Sequence, residues 1–379
     1  MKEPIYLDYN ATTPVAPEVA EAMLPFLRER FGNPSSSHPY GHYAHQAVAE
    51  ARQEVAAMIG ASAEEIVFTG CATEANNLAL LGVARASVDA KRHLVISAVE
   101  HPSVFAPARY LAEQGWRLTI VPVDGYGRVA PRRVAEAIRP DTALVSIMHA
   151  NNEVGTIQPL PEIARVVRNG GALLHTDAAQ SAGKIAVDVS ALDVDLLTLA
   201  GHKFYAPKGV GALYVRRGTP LRPVLHGAEQ ERGLRPGTEN VPAIVGLGVA
   251  ARLARERLAA TTVQLRALRD RFHELLAGAI PGLALNGHPE KRLPNTLHVS
   301  FPGVTGRALL ERASDTVAAS LGSACHSEHD AVSGVLAAMS IDGARAAGAV
   351  RFAVGAMTSD DDIRRAADAI AAAWQALRR

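Results

Sequence analysis

Short runs of β-branched and aliphatic residues alternate with amphipathic stretches along the first 200 residues of the chain. Such runs are typical of buried strands, and the amphipathic stretches between them are typical of crossover helices, so the pattern predicts an open α/β sheet. The predicted strands are Glu65–Thr69, His93–Ala98, Arg117–Val123, Thr142–His149, Ala172–Thr176, Asp195–Leu199 and Val210–Val215. The predicted helices are Glu18–Arg30, Ala44–Ile59, Thr73–Ala84, Ala106–Glu113, Pro131–Ile138 and Leu160–Asn169.

A long helical pattern from Val241 to about Leu276 separates this region from the C-terminal part of the chain. Strands and helices alternate again after it, over Thr296–Phe301, Arg307–Arg312, Thr316–Leu321, Ala349–Val354 and Asp360–Leu377. This part of the pattern predicts a smaller α+β domain. We therefore predict a large domain over residues 15–250 and a small domain that combines residues 251–379 with residues 1–14.

The composition is typical of a soluble globular protein with one large or two ordinary domains. The 379 residues include 39 basic and 38 acidic side chains, which leaves a formal net charge of +1. Disordered, collagen-like and coiled-coil proteins are excluded, since they need a charge excess, a glycine period or heptads. Nucleic-acid-binding proteins usually have a basic domain or face, so we expect no direct binding of nucleic acid.

The chain contains only two cysteines, Cys71 and Cys325. Two cysteines in so long a chain do not form a disulfide framework, and they indicate a reducing compartment. The first residues lack the apolar stretch of a signal peptide, and no apolar run reaches the length of a membrane span. We expect a cytoplasmic protein that does not bind a membrane.

Candidate ligand-binding residues follow the predicted strands, at the end of an open α/β sheet where ligands bind. The segment after Thr69 is rich in small residues and leads into a helix, whose first N–H groups are free to bind an anion. Asp177 and Lys203 each close a buried apolar strand, where a charge is costly unless it is paired or used. The two could form an ion pair. They are also what pyridoxal 5'-phosphate requires, namely a lysine for the Schiff base and a carboxylate for the pyridine nitrogen.

Motifs along almost the whole chain resemble, in order, those of the cysteine desulfurases, which are fold-type I pyridoxal phosphate enzymes of the class V aminotransferase superfamily. The matching segments include Leu7–Pro14, Gly32–Ser36, Ala72–Asn77, Glu100-His101, Asn151–Glu153, His175–Gln180, His202–Tyr205, Arg235–Asn240 and Gly322–Cys325. The resemblance implies a large domain with a seven-stranded, mostly parallel sheet and a smaller α+β C-terminal domain. It also implies a homodimer with active sites at the interface.

The resemblance assigns roles at the cofactor ring to four residues. Lys203 is expected to hold pyridoxal 5'-phosphate as a Schiff base and to move protons. Asp177 is expected to bind the pyridine nitrogen, and Gln180 is expected to donate to the phenolic oxygen. His101 is expected to stack on the ring and to act as an acid or base.

The phosphate group of the cofactor is expected to lie at the start of the helix that follows Cys71. The resemblance implies that Ala72, Thr73 and His202 hold it, together with Thr238 of the partner subunit. Many members of the family have a serine three residues before the lysine, where this chain has Ala200. We therefore expect one phosphate contact to be lost or to be made by the backbone.

The resemblance also implies how the substrate, L-cysteine, is bound and attacked. Asn152, which also lies at the cofactor, and Arg351 are expected to bind the substrate carboxylate, because a guanidinium group can bind a carboxylate at two points. Cys325 is expected to attack the substrate sulfur as a thiolate, which leaves a persulfide on Cys325 and releases L-alanine. The persulfide is then passed to a sulfur-acceptor protein, which the sequence does not identify.

Three other interpretations stay open at this point. The segments around Lys203 and Cys325 resemble those of selenocysteine lyase about as well, and residue identity does not decide between sulfur and selenium. A non-catalytic scaffold for sulfur-transfer partners would be expected to lack Lys203, Asp177 or Cys325, and all three are present. Cys325 could bind zinc with His326, Glu328 and His329, but structural zinc needs a closed set of four ligands and no second cluster is visible. We predict no metal site.

Overall fold

A computed structural model describes residues 3–87, 91–322 and 333–378, which form strands and helices along the whole chain. The strands are β1 Ile5–Tyr6, β2 Ile66–Thr69, β3 His93–Ser97, β4 Arg117–Val121, β5 Thr142–Ser146, β6 Leu173–Asp177, β7 Leu196–Ala200, β8 Gly211–Val215, β9 Ala284–Leu285, β10 Thr296–Ser300, β11 Val317–Ala318 and β12 Ala349–Ala353. The helices are α1 Pro17–Arg28, α2 Pro39–Met58, α3 Ala72–Ala86, α4 Pro102–Glu113, α5 Pro131–Ala137, α6 Leu160–Asn169, α7 Val189–Leu192, α8 Val241–Ala279, α9 Gly306–Ala313, α10 Gly334–Ala338, α11 Gly343–Ala347 and α12 Asp360–Leu377.

A seven-stranded sheet with the order β2-β8-β7-β6-β5-β3-β4 forms the centre of the large part of the molecule. Strand β8 runs antiparallel to both of its neighbours, and the other neighbouring pairs are parallel. Each of the seven strands predicted from the hydrophobic pattern forms part of this sheet, with small differences at the strand ends. The predicted α/β fold with a seven-stranded, mostly parallel sheet is confirmed.

Both faces of the central sheet are covered by helices, which explains why most positions of its strands are apolar. Successive side chains of a strand point to opposite faces. Accordingly, Val95 and Leu197 belong to the hydrophobic core that includes α2 and the first half of α8. Their neighbours Leu94 and Leu196 belong to the core on the other face, which includes α3 and α4.

A separate hydrophobic core holds together a second region, which we call the small part of the molecule. It joins Ile5 and Leu7 from the N-terminal segment to the second half of α8, to β10 and β12, and to α12. The strands of this part form an antiparallel sheet in the order β12-β10-β9 and a short parallel pair of β1 with β11. The predicted strand Thr316–Leu321 is shorter than expected, since β11 covers Val317–Ala318 and Ser320 adds a single bridge to Arg351 of β12. The domain bounds at residues 14/15 and 250/251 stay predictions.

Helix α8 has 39 residues, a length of roughly 58 Å, and reaches from one core to the other. Its first half packs in the core of the large part, and Leu265, Phe272 and Leu276 pack in the core of the small part. The central sheet and the small part are thereby joined by one continuous helix. Within residues 3–87, 91–322 and 333–378, no helix combines the length and the apolar character needed to cross a membrane.

Candidate active site

The predicted site residues come together at the edge of the central sheet where the parallel strands end. His101 follows β3, Asn152 follows β5, Asp177 is the last residue of β6, and Lys203 follows β7. Because β3, β5, β6 and β7 are neighbours in the sheet and run parallel, the loops after them lie side by side. Residues that are up to 102 positions apart in the sequence therefore form one site.

Lys203 lies in a 3₁₀ turn directly after β7. Its Nζ donates to the backbone oxygens of Asn10 and Ala11, both at 2.7 Å. Burial, together with the positive charge of Arg351, lowers the pKa of Lys203 to about 8. A much larger fraction of the amine is therefore neutral at physiological pH than in an ordinary lysine, and the neutral form is the one that attacks a carbonyl carbon.

Asp177 is buried, with only 5% of its surface exposed. Its two carboxylate oxygens accept from Asn76 Nδ2 at 2.8 Å and from the backbone nitrogen of Ala179 at 2.9 Å. Lys203 donates to backbone carbonyls instead of to Asp177, so the ion pair that the sequence left open is not formed. Asp177 is hydrogen-bonded to neutral groups and not paired with Lys203, so a cationic group of a ligand could form an ion pair with it.

A chain of hydrogen bonds connects His101 to Asp177. Asn76 Nδ2 donates to both Asp177 Oδ2 and Ser103 Oγ, each at 2.8 Å. Ser103 Oγ lies 2.7 Å from His101 Nδ1, which also accepts from the backbone nitrogen of Ser103. Burial lowers the pKa of His101, and with Nδ1 occupied as an acceptor, the neutral ring carries its proton on Nε2.

Sequence reasoning missed Asn76 and Ser103 as the residues that orient this network. The signal was present, because α3 presents an apolar face that includes Ala75, Ala79 and Leu80, and Asn76 is a fully buried polar residue next to it. A buried amide is costly unless it is hydrogen-bonded, so its presence on such a face indicates fixed partners.

Gln180 is buried in the turn that follows β6. Its Nε2 donates to the backbone oxygen of Asn10 at 2.9 Å, the same oxygen that accepts from Lys203. The side chain of Asn10 is also held, by Asn295, Thr296 and the backbone oxygen of Asn152. Asn10 thus connects the lysine, the glutamine and the small part of the molecule, a role that the sequence did not indicate.

The start of helix α3 forms the predicted phosphate position. The first helical hydrogen bond runs from the nitrogen of Ala75 to the oxygen of Cys71, so the N–H groups of Ala72 and Thr73 have no partner within the helix. Thr73 is exposed, and it lines a cavity of about 500 Å³ together with His101. Free N–H groups, a helix start and a hydroxyl group fit a phosphate.

The other residues predicted to lie near the phosphate are His202, Thr238 and Ala200, and they differ in exposure and in their hydrogen bonds. His202 Nδ1 lies 3.1 Å from Thr12 Oγ1, and burial, with Lys203 and Lys208 nearby, lowers the pKa of His202 to about 4. Thr238 is exposed, in a segment that Arg235 ties to α3 through a 2.8 Å bond to Glu74. Ala200 is buried at the end of β7 and carries no hydroxyl group.

The two residues predicted to bind the substrate carboxylate lie together. Arg351, on β12, donates through Nη1 to the backbone oxygen of Asn152 at 3.1 Å and through Nη2 to Asp8 Oδ1 at 2.6 Å. The side chain of Arg351 is 3% exposed and that of Asp8 is 20% exposed. Arg351 Nε is buried without a protein partner. The sequence did not predict Asp8 as the partner that holds the guanidinium group.

Cys325, the predicted nucleophile, and His326, Glu328 and His329 of the zinc alternative lie outside the described residues. Glu153 lies beside the described residues on both sides of this segment. Ser333 Oγ donates to Glu153 Oε2 at 2.5 Å, and a Cβ atom on Gly322 would lie 2.9 Å from the same oxygen. Elsewhere in the described chain, no cluster of three His, Cys, Asp or Glu side chains has the geometry of a metal site.

The chain is similar to known proteins along almost its whole length. Residues 5–365 match the family model for class-V aminotransferases. The cysteine desulfurase IscS of Dictyoglomus turgidum is 44% identical over 98% of this chain and 94% of its own length. The structure of a NifS-like protein matches 98% of this chain and 99% of its own at 39% identity, with a TM-score of 0.92. A structure of SspA in complex with cysteine matches 92% of this chain and 98% of its own at 37% identity, with a TM-score of 0.82.

Proposed function

Since this chain belongs to the class-V aminotransferase family and its relatives are cysteine desulfurases, we propose that it removes sulfur from L-cysteine and releases L-alanine. The observation that carries the proposal is the placement of Lys203 and Asp177 at neighbouring strand ends. Asp177 is buried and Lys203 is partly buried, and each is hydrogen-bonded to neutral groups that leave its charge or its amine available to a ligand. This is the arrangement that pyridoxal 5'-phosphate needs.

The residues at the strand ends fit the cofactor. Lys203 would link to its aldehyde, Asp177 would face its ring nitrogen, Gln180 its phenolic oxygen, and His101 its ring face. Ala72, Thr73 and His202 would hold its phosphate, and Gly211 allows the start of α3 to pack closely on β8 because a Cβ atom there would lie 2.9 Å from the carbonyl carbon of Cys71. When bound, the cofactor withdraws electrons from the substrate and so weakens its bonds at the carbons next to the amine.

The protein groups around the substrate act by position and charge. Arg351, with Asn152 beside it, would bind the substrate carboxylate, and Asp8 holds the guanidinium group in place before substrate arrives. The depressed pKa of Lys203 allows it to accept and return a proton near neutral pH. The partly buried His101, with its proton on Nε2, is a second group that can hold a proton in the same site.

The sulfur leaves through Cys325. The thiolate of Cys325 attacks the sulfur of L-cysteine, a sulfur–sulfur bond forms, and the bond from that sulfur to the substrate β-carbon breaks. The β-carbon takes up a proton, so the products are L-alanine and a persulfide on Cys325. The persulfide sulfur is then passed to an acceptor protein.

Alanine release tests the function directly. Wild type and Cys325→Ala are incubated with L-cysteine and a thiol reductant, and L-alanine is measured. Release by the wild type alone would establish a desulfurase that works through Cys325. Equal release by both would contradict the role of Cys325, and no release by either would contradict the sulfur activity and direct the test to selenocysteine.

We further propose that the functional form is a homodimer. The end of α1 and the start of α2 expose large apolar side chains, including Leu27, Phe31, Tyr40 and Tyr43. Contiguous apolar side chains on a surface are typical of protein interfaces. Thr238 is also exposed, so it is free to reach the phosphate in the partner subunit. Sedimentation velocity should give a dimer, and a fully active monomer would contradict this proposal.

A further inference from the structure

A second lysine lies behind the site, and the chemistry described above does not use it. Lys184 follows β6 in the same turn as Gln180, and only 5% of its surface is exposed. Burial, with the positive charges of Lys203 and Arg351, lowers the pKa of Lys184 to about 7. A buried amine with cations nearby is costly, so it needs hydrogen-bond acceptors.

Lys184 finds its acceptors on one residue. Its Nζ donates to the backbone oxygen of Gln180 at 3.0 Å and lies 3.4 Å from Gln180 Oε1. The backbone of Lys184 is itself fixed, because Thr262 Oγ1 on α8 donates to its carbonyl oxygen at 2.8 Å. The backbone of Lys184 is therefore fixed in position, and its amine lies against the side-chain amide of Gln180.

The chemistry of these groups determines which way the amide points. Even as a neutral amine Lys184 keeps two N–H donors, and in the structure its Nζ donates toward Oε1, so the oxygen of the amide faces the lysine. The nitrogen then points the other way, where Nε2 donates to the backbone oxygen of Asn10 at 2.9 Å. Were the amide reversed, its nitrogen would meet the donors of Lys184 and its oxygen would meet the oxygen of Asn10.

We propose that Lys184 is a positioning residue that acts through Gln180, because it turns the amide nitrogen of Gln180 toward Asn10 and toward the phenolic oxygen of the bound cofactor. The proposal rests on the proposed function, since it assumes that pyridoxal 5'-phosphate binds beside Gln180. Lys184 forms no bond with cofactor or substrate. It keeps a donor facing the cofactor and excludes the acceptor face of the same amide.

Cofactor binding provides the test. The dissociation constant of pyridoxal 5'-phosphate is measured by absorbance for wild type, Lys184→Met, Gln180→Ala and the double variant. Methionine keeps the length and the apolar stem of lysine but cannot donate. Loss of one oriented hydrogen bond should raise the dissociation constant about fivefold in Lys184→Met. The absorbance maximum of the bound cofactor should shift in the same direction as in Gln180→Ala.

The double variant separates positioning from a general structural effect. If Lys184 acts through Gln180, adding Lys184→Met to Gln180→Ala should change the dissociation constant less than twofold. A further fivefold loss in that background would overturn the proposal, as would a wild-type dissociation constant in Lys184→Met alone. Lys184→Gln covers the case in which Lys184→Met does not fold. Its amide can still donate to Gln180, so its loss should be smaller, and a loss that adds fully to Gln180→Ala would overturn the proposal.

Two controls make failures distinguishable. Lys291→Met makes the same substitution at an exposed lysine of the segment before β10, and its dissociation constant should match that of the wild type within twofold. If the wild type itself binds no cofactor, the proposed function fails. If the wild type binds and Lys184→Met binds equally well with the same absorbance maximum, only the role of Lys184 fails.

Discussion

The two walls of the site are held in different ways. The wall formed by the central sheet is organised by neutral donors, since Asn76 and the backbone of Ala179 hold Asp177. The wall formed by the N-terminal segment and the small part is organised by a buried charge pair between Arg351 and Asp8. Removing one neutral donor costs the stability of one or two hydrogen bonds, whereas removing one partner of a buried ion pair leaves the other charge buried and unpaired, which costs more. The second wall should therefore be the more sensitive to substitution.

Arg351→Ala should have the largest effect on activity. It removes the guanidinium group that we propose binds the substrate carboxylate, and loss of such a charged contact corresponds to about 10²–10³-fold in kcat/KM for L-cysteine. Steady-state alanine release measures it. Arg351→Lys keeps the charge and loses the planar fork, so it should recover only part of the activity. Full recovery in Arg351→Lys would show that the two-point contact is not needed.

Asp8→Ala should have the largest effect on stability. It leaves the guanidinium group of Arg351 buried and unpaired, which should lower the free energy of unfolding by about 3 kcal/mol. Urea denaturation measures the change. The matched control is Asp361→Ala, which removes a carboxylate that pairs on the exposed face of α12 and should change stability by no more than about 0.5 kcal/mol. Equal losses in the two variants would contradict the contrast between the walls.

Asn76→Ala tests the sheet wall and should have a smaller effect. It deprives Asp177 and Ser103 of one donor each, which should lower the free energy of unfolding by about 2 kcal/mol. Asn77→Ala is the control next to it, since Asn77 bonds only to the carbonyl of Thr73 in its own helix. A loss in Asn77→Ala as large as that in Asn76→Ala would show that the network adds nothing.

The smallest expected effect, taken for one histidine over one pH unit, is on the pH dependence of stability. Each wall contains a buried histidine, and burial lowers the pKa of His175 to about 4 and that of His298 to about 3. The unfolded chain binds protons at these histidines below about pH 6.5 and the folded chain does not, so stability falls as the pH drops from 6.5 toward 4. Each histidine should contribute up to about 1.4 kcal/mol per pH unit in that window.

Denaturation curves at several pH values check this last prediction. His175→Gln removes one titrating group, so its stability should fall less steeply between pH 6 and 4 than that of the wild type. The absolute stability of the variant does not matter for this comparison. An unchanged slope would show that His175 is protonated in the folded protein as readily as in the unfolded chain.

Much of the fold could be predicted from local patterns. The seven central strands are mostly apolar because helices cover both faces of the sheet, and that pattern is visible in the sequence without any contact information. The short elements could not be predicted, since a two-residue strand such as β1 forms only because Ile5 and Tyr6 pair with β11. Helix α7 is equally short, with four residues capped by Asp188, and four residues are too few to show a helical pattern in the sequence.

The candidate site shows the same division. The sequence by itself determined which chemical groups are available and, through the strand–loop pattern, that Asp177 and Lys203 lie at the same edge of the sheet. Only the tertiary structure decided their partners. Asn10 accepts from Lys203 across 193 positions of sequence, and Arg351 donates to Asp8 across 343. A hydrogen bond forms only when its donor and acceptor lie at the right angle and within a few tenths of an ångström of the right distance, and the order of residues does not encode this geometry. Burial, by contrast, leaves a periodic pattern of apolar residues along the chain itself.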